Sequence, residues 1–291
     1  MQCVAVIYKR ARPEAAELAQ SIGNWFESLH VQVFSQENVD HRSRGGCGSS
    51  PKIEIPHKAE TVIVIGGDGT LLSVARFLED RPIPILGINL GGLGFLTEVN
   101  IENCFQELKE ILEGNFEIEE RMRLDVTIQR EGRQVTRQTV LNDAVINKGA
   151  LARIIDLKTS IDGRYLTNYR ADGLIVATPT GSTAYNLSAG GPIVHPTARL
   201  VILTPICPFT LTHRPIILPS DAAIQVEIVG PSDDLTLTCD GQVGCELFPQ
   251  DQIHISTRAN PLRLIKTPSI DYFEILRTKL KWGQAEIRSS P

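Results

Sequence analysis

The run GGDGT at 66–70 follows directly on the β-branched apolar residues Val62, Ile63, Val64 and Ile65. Gly66, Gly67 and Gly69 let a backbone approach a phosphate closely, and a helix starting near Thr70 would add the partial positive charge of its N-terminus. Asp68 stands where an anionic ligand would lie. A carboxylate is a poor direct ligand for phosphate, so its chemistry here is either to accept a proton from a hydroxyl nucleophile or to hold a metal ion. Gly-Gly-Asp-Gly is also a good tight turn, so the loop alone does not decide its own use.

Two later stretches carry further polar chemistry. In LNDAVINKG, residues 141–149, Asn142 and Asp143 fall between apolar positions. An amide beside a carboxylate can hold the hydroxyls of a sugar, and Asx pairs also make turns and caps. The second stretch, RADGLIVATPTGSTAYNLSAGGPIVHP at 170–196, is richer. Asp172 precedes an apolar strand, and Thr178, Thr180, Ser182, Thr183 and Ser188 follow it as neutral donors and acceptors. Gly181, Gly190 and Gly191 permit close backbone approach, and Tyr185 offers a flat ring for stacking on a base. A helical turn over 183–189 would point its N-terminus at a pyrophosphate.

The elements that must position these residues are of two kinds. In the first part of the chain, short apolar strands at 4–8, 31–34, 61–65 and 83–88 alternate with stretches of helical spacing, such as Leu18, Ile22, Trp25 and Leu29. Strand alternating with helix implies right-handed crossovers and a parallel sheet, with both glycine loops, GGDGT and NLGGLGFLT at 89–97, on one edge. From Met122 onward the spacing becomes strictly alternating, as in Leu124, Val126 and Ile128 or Ile224, Val226 and Ile228, which means antiparallel sheet. Helical spacing returns at 270–281 through Tyr272, Phe273, Leu276 and Leu280. We therefore expect an α/β domain at 1–117 plus 267–291, holding the GGDG loop, and a β-rich domain at 118–266. The final helix is expected to pack back on the first domain.

Composition bounds the function. The net charge is −5 with 29 Lys and Arg against 34 Asp and Glu, which argues against a nucleic-acid or anionic-membrane binder. No apolar run approaches the ~20 residues of a membrane span, and the start of the chain resembles a first strand rather than a signal peptide, so a cytoplasmic protein is expected. The six cysteines include no Cys-x-x-Cys pair and no zinc spacing, and read as reduced, mostly packed thiols. Residues 42–51, RSRGGCGSSP, read as a mobile surface loop with Cys47 exposed. The P-loop, the G-x-G-x-x-G dinucleotide fingerprint, the protein-kinase signatures and the G-x-S-x-G elbow are all missing.

With GGDGT at 66–70, NLGGLGFLT at 89–97, LNDAVI at 141–146, DGLIVATPTGSTAYNLSAGGPIVHP at 172–196 and CDGQ at 239–242, the chain resembles the NAD kinase family. The resemblance implies an N-terminal α/β domain of phosphofructokinase and lipid-kinase type with a parallel sheet, an all-β C-terminal domain, and a C-terminal helix returning to the first domain. It implies transfer of a phosphoryl group from ATP or inorganic polyphosphate to the adenosine ribose 2′-hydroxyl of NAD. Asp68 would activate that hydroxyl, with Gly66, Gly67, Gly69 and Thr70 bordering the transferred phosphate. Asn142, Asp143, Asp172, Thr180, Thr183, Ala184, Tyr185, Ser188 and Asp240 would contact NAD, Asp240 from the DGQ turn of its own or a neighbouring subunit. A divalent ion, Mg²⁺, held chiefly by nucleotide phosphates needs no protein ligand cluster. The resemblance also implies a homodimer or homotetramer. Two positions depart from the family pattern: Gly92, where a charged or polar residue is common, and Phe209, where histidine is common. The alternatives are a diacylglycerol- or sphingosine-type lipid kinase, which shares the first loop but not the TGSTAYN block, and a non-catalytic dinucleotide sensor.

Overall fold

A computed structural model describes residues 1–39, 53–149, 154–230, 234–266 and 271–282. The expected loop at 42–51, with Cys47, lies outside them. The first strand, β1 (Cys3–Tyr8), runs into helix α1 (Pro13–Ser28), where Pro13 occupies the first helical position and its missing N–H costs nothing. Helix α1 buries Ala15, Ala19, Ile22 and Phe26 at helical spacing. Next come β2 (Gln32–Glu37), β3 (Thr61–Ile65), helix α2 (Asp68–Phe77) and β4 (Ile85–Asn89). The two-residue β5 (Val99–Asn100) leads to helix α3 (Cys104–Glu113), which Gly114 ends in a left-handed conformation (φ 86°), and then to β6 (Glu117–Arg121).

Twelve strands follow before the chain returns. They are β7 (Leu124–Arg130), β8 (Arg133–Val140), β9 (Asp143–Lys148), β10 (Ile155–Ile161), β11 (Arg164–Ala171), β12 (Gly173–Ala177), β13 (Leu200–Ile206), β14 (Ile216–Pro219), β15 (Ile224–Val229), β16 (Leu235–Cys239), β17 (Val243–Leu247) and β18 (Gln252–Thr257). A single helical turn, α4 (Tyr185–Ser188), stands between β12 and β13. The chain ends with β19 (Leu262–Lys266) and helix α5 (Tyr272–Leu280).

These elements form two compact units. The first comprises Met1–Val39 and Ile53–Glu119, with β19 from Arg263 and helix α5. Its seven-stranded sheet has the order β2-β1-β3-β4-β19-β6, with β5 paired to β4. The pairs β1–β2, β1–β3, β3–β4, β4–β5 and β4–β19 are all parallel. The chain steps outward from β1 to β2 and then crosses back to β3 and β4, so the winding reverses between β1 and β3. Right-handed crossovers consequently place α1 and α2 on opposite faces. Strands β3 and β4 are buried along their whole length, as a sheet covered on both faces requires.

The second unit, Glu120–Leu262, is a pair of six-stranded antiparallel sheets, β11-β10-β15-β18-β7-β8 and β14-β13-β12-β9-β16-β17. Alternate residues of both sheets, among them Val126, Leu157, Ile146, Leu174 and Leu237, share one apolar core, which is the arrangement of a β-sandwich. Strand β12 is buried on both faces because a second cluster, Val145, Ile175, Ala177 and Ile202, packs under Ala189 and Val194 of the following segment. One difference from the sequence reading concerns β19, which joins β4 in the parallel sheet of the first unit instead of the sandwich. Its residues Leu262, Leu264 and Ile265 are buried while Arg263 is exposed, so its spacing alone does not separate it from the alternating strands before it. Cys3, Cys104 and Cys239 are free and buried and Cys207 is free and exposed, whereas Cys245 is disulfide-bonded, unlike the expected reduced thiols.

Candidate functional site

In the first unit the sheet delivers both glycine loops to one edge. Gly66 N–H donates to Ile88 O (2.9 Å), so the loop after β3 starts hard against the end of β4. The helix begins at Asp68 itself, two residues earlier than Thr70, with Gly67 as its extended N-cap. Gly66 is required here, because a Cβ would sit 2.8 Å from Thr70 Cβ. Thr70 is thereby buried behind the loop, while Asp68 and Gly67 are half-buried and Gly69 is exposed.

The half-buried carboxylate of Asp68 closes on the second glycine loop. Its Oδ1 accepts from Leu96 N–H, Thr97 N–H and the Thr97 hydroxyl, each at 3.0 Å, and its Oδ2 accepts from Phe95 N–H at 2.9 Å. Thr97 Oγ1 in turn accepts from Asn89 Nδ2 (2.8 Å), and Asn89 Oδ1 accepts from Gly91 N–H (2.9 Å). Gly94 admits this closure, since a Cβ there would collide with Asp68 Oδ1. Three of the four donors converge on Oδ1, which leaves Oδ2 as the oxygen with room for another proton donor. Sequence reasoning picked out Asp68 but missed Asn89 and Thr97 as the residues that aim it.

A second polar cluster lies within the sandwich unit. Asp240 adopts a left-handed conformation (φ 51°) that Asp tolerates, and its buried carboxylate accepts from Leu141 N–H (3.1 and 3.0 Å), Asn142 N–H (2.7 Å) and Asp143 N–H (3.2 Å). Asp240 N–H returns a bond to Asp143 O (2.9 Å). Asp143 is buried beside it, and burial, then the charge of Asp240, pushes its carboxyl up to about 7. A carboxyl held near neutrality can donate a hydrogen bond as well as accept one.

The segment after β12 closes on the same residues. Thr178 N–H donates to Asn142 O (2.9 Å), and the Thr178 hydroxyl bonds Leu141 O and receives Gly181 N–H (3.1 Å). A Cβ at Gly181 would strike the Asn142 carbonyl, so only glycine lets the two strands' ends meet. Thr180 is buried and accepts from Arg121 Nη1 at 3.4 Å. Thr183 and Ala184 are half-buried, and Tyr185 (44% exposed) and Ser188 face solvent, open to a ligand. Asn186, missed in the sequence, organises this turn. It is fully buried, donates to Ser182 O and Pro192 O (3.1 Å each) and accepts from the Thr204 hydroxyl (2.7 Å).

Asp172 is not part of this grouping. It precedes β12 while Thr178 follows it, and the register Gly173↔Asn147, Ala177↔Asp143 puts the two at opposite ends of the strand. The five residues of strand between them hold the two about 20 Å apart. Among the described residues no group of three or more His, Cys, Asp or Glu side chains could hold a metal ion.

A carboxylate aimed by a second loop, at the carboxyl ends of a parallel sheet, together with a separate sandwich carrying hydroxyl- and amide-rich turns, defines a two-unit protein of the kinase-like α/β plus β-sandwich class. Comparison with known proteins narrows this. Residues 4–116 match the ATP-NAD kinase N-terminal domain and residues 141–267 the ATP-NAD kinase C-terminal domain. The chain is 63% identical over 285 residues to the NAD kinase of Syntrophobacter fumaroxidans, covering 98% of this chain and 100% of that one. It is 48% identical to the NAD kinase of Geotalea daltonii over 98% of this chain and 100% of the relative. Among solved structures, yeast NADH kinase complexed with NADH superposes with a TM-score of 0.85 at 25% identity, covering 100% of this chain and 90% of that one. An NAD kinase from Archaeoglobus fulgidus in complex with ATP gives 0.76 at 28% identity, with 96% and 99% covered. The chain belongs to the NAD kinase family.

Proposed function

We propose that this chain transfers the terminal phosphoryl group of ATP, or of polyphosphate, to the adenosine ribose 2′-hydroxyl of NAD, making NADP. The observation that carries the reading is family membership along the whole chain together with the fixed carboxylate of Asp68. In the reaction the 2′-oxygen forms a bond to the transferred phosphorus, the bond from that phosphorus to the leaving phosphate oxygen breaks, and the hydroxyl proton passes to Asp68 Oδ2. Such transfers have loose transition states, so positioning outweighs base strength, and a carboxylate already held by four hydrogen bonds suits that task. Gly66, Gly67 and Gly69 border the phosphate, with Thr70 packed behind them. Asn142, Asp143 and Asp240 present amide and carboxyl groups to ribose hydroxyls, and Tyr185 stacks on a base, with Thr180, Thr183, Ala184 and Ser188 around it. Asp172, at the other end of β12, addresses a separate part of the nucleotide or a neighbouring subunit's.

A bound Mg²⁺ would neutralise charge on the transferring phosphoryl group. Oxygen donors suit so hard a cation, and the phosphate donor's own oxygens would hold it. Exposed Phe209, Leu211 (84%) and Ile217 support a homodimer or homotetramer. No helix among the described residues is long and apolar enough to cross a membrane; a cytoplasmic site of action is favoured by the free thiols at Cys3, Cys104 and Cys207 and opposed by the disulfide at Cys245.

The test is to offer purified protein MgATP or polyphosphate with NAD, NADH or diacylglycerol as acceptor. NADP or NADPH formation is expected. Phosphorylated lipid with no NADP would transfer the chain to the lipid-kinase reading, and dinucleotide binding with no transfer would make it a sensor.

A further inference from the structure

The winding of the first unit's sheet reverses between β1 and β3, and ligands of open α/β sheets bind in the crevice outside the strands' carboxyl ends at such a reversal. One wall of that crevice is the Gly66–Gly67–Asp68 loop. The other is the turn after β1, whose sequence is Lys9-Arg10-Ala11-Arg12. Tyr8 pairs with Ile65, and Lys9 N–H donates to Ile65 O (2.8 Å), so Lys9 and Gly66 leave adjacent strand ends. Adjacent strands lie about 4.8 Å apart, well within reach of lysine and arginine side chains.

We propose that Lys9, Arg10 and Arg12 form the cationic wall of the phosphate-donor site and grip the donor's oligophosphate tail. All three side chains are exposed, and among the described residues none has a hydrogen-bond or ion-pair partner. Some exposed cations of the chain are paired, as Arg137 is with Asp125, Lys158 with Glu227 and Arg170 with Asp156, and others such as Arg133 and Arg164 are not, among the described residues; what sets Lys9, Arg10 and Arg12 apart is their place beside the Gly66 loop. The fold does not account for the three. Arg12 is the N-cap of α1, so the cations crowd the positive end of a helix dipole, where acidic residues are the stabilising choice. Two carboxylates share the neighbourhood. Glu14 lies in the first turn of α1, and Glu37 Oε1 accepts Ala11 N–H (3.1 Å), holding Ala11 in a left-handed conformation (φ 55°) unusual for a residue with a Cβ. That bond fixes the turn without engaging a cation. A chain of net charge −5 thus places three unpartnered positive side chains at the crevice where a polyanion is to be held.

This inference rests on the reading of the chain as a phosphotransferase, and its test separates the two. The Lys9→Met, Arg10→Met double variant is compared with the full-length wild-type protein for NADP formation and, by calorimetry, for binding of inorganic tripolyphosphate without NAD. The apparent KM for ATP and the tripolyphosphate Kd should both rise about 10- to 100-fold, the range of charge-assisted phosphate contacts. The NAD constant should stay within about twofold, and Lys9→Arg should keep most of the affinity. Added salt should shrink the difference. Comparing ATP with long-chain polyphosphate as donor tells whether the grip serves the nucleotide's tail or a free phosphate chain. An unchanged ATP constant and tripolyphosphate Kd, or an equal rise for NAD, would overturn the inference while leaving the reaction intact. Loss of tripolyphosphate binding in a protein whose wild type makes no NADP would uphold the grip and remove the NAD kinase reading.

Discussion

Replacing Asp68 with asparagine removes a negative charge and turns one carboxylate oxygen into a donor. Four donors converge on that carboxylate, three on Oδ1 and one on Oδ2. Keeping the amide oxygen at the Oδ1 position leaves the new NH₂ facing Phe95 N–H, so one bond is lost outright and a donor is left unpaired. That costs about 1–3 kcal/mol of local stability, and the surviving bonds lose their charge assistance. The proton acceptor is lost as well, which alone is worth about 10²–10⁴ in turnover. Together these predict a fall in kcat of several orders of magnitude for Asp68→Asn, with NAD still bound. A coupled assay with an NADP-specific dehydrogenase reads turnover, and calorimetry reads NAD binding. Thr97→Val separates the two contributions: it deletes one donor to Oδ1 and the closer of the two acceptors of Asn89 Nδ2, leaving Thr97 O, but keeps the carboxylate, so it should cost about 1 kcal/mol and less than about tenfold in kcat. Near-normal turnover of Asp68→Asn would refute the assigned proton acceptor. Equal losses in the two variants would reduce Asp68 to a pin for the second loop.

Other consequences can be checked with single substitutions. The raised carboxyl of Asp143, about 7, lies above its unfolded value near 3.9, so its contribution to stability is full below about pH 4 and is lost as pH rises towards 7. Asp143→Asn should therefore gain stability relative to wild type across that window, at up to about 1.4 kcal/mol per pH unit, and parallel denaturation midpoints at acidic and neutral pH would contradict this. Gly94→Ala should lose most activity although it alters no polar group, because its methyl would collide with Asp68 Oδ1; full activity would mean that the loop closure is dispensable. Tyr185→Ala should raise the apparent NAD constant more than the ATP constant, since its exposed ring is available for stacking; the reverse would mean that the two nucleotide sites have been exchanged.

Much of this architecture is legible in the residues because it depends on local pattern. Alternation at Leu124, Val126 and Ile128 and helical spacing at Leu18 and Ile22 report which face is buried, and the glycine loops announce close approach. What stays hidden are pairings set by tertiary register. Asp68 meets Phe95, Leu96 and Thr97, and Asp240 meets Leu141, Asn142 and Asp143 nearly a hundred residues away. Periodicity says which side a residue faces and nothing of its partner. Asp172 shows the converse. It lies within the same motif block as Thr183 and Tyr185, yet the extended length of β12 separates them. Asn186 was hidden because an asparagine inside a polar run reads as solvated, and only the packing of that run on Ile175 and Ile202 buries it. Lys9, Arg10 and Arg12 follow an ordinary strand, and their setting becomes apparent only when the sheet order places the winding reversal beside them.

The most direct measurement of the central claim is phosphorus NMR of the product formed from NAD and MgATP. The account predicts a single new phosphomonoester on the 2′-oxygen of the adenosine ribose, absent with Asp68→Asn. A phosphate on any other hydroxyl, or none on the dinucleotide while ATP is consumed, would contradict it.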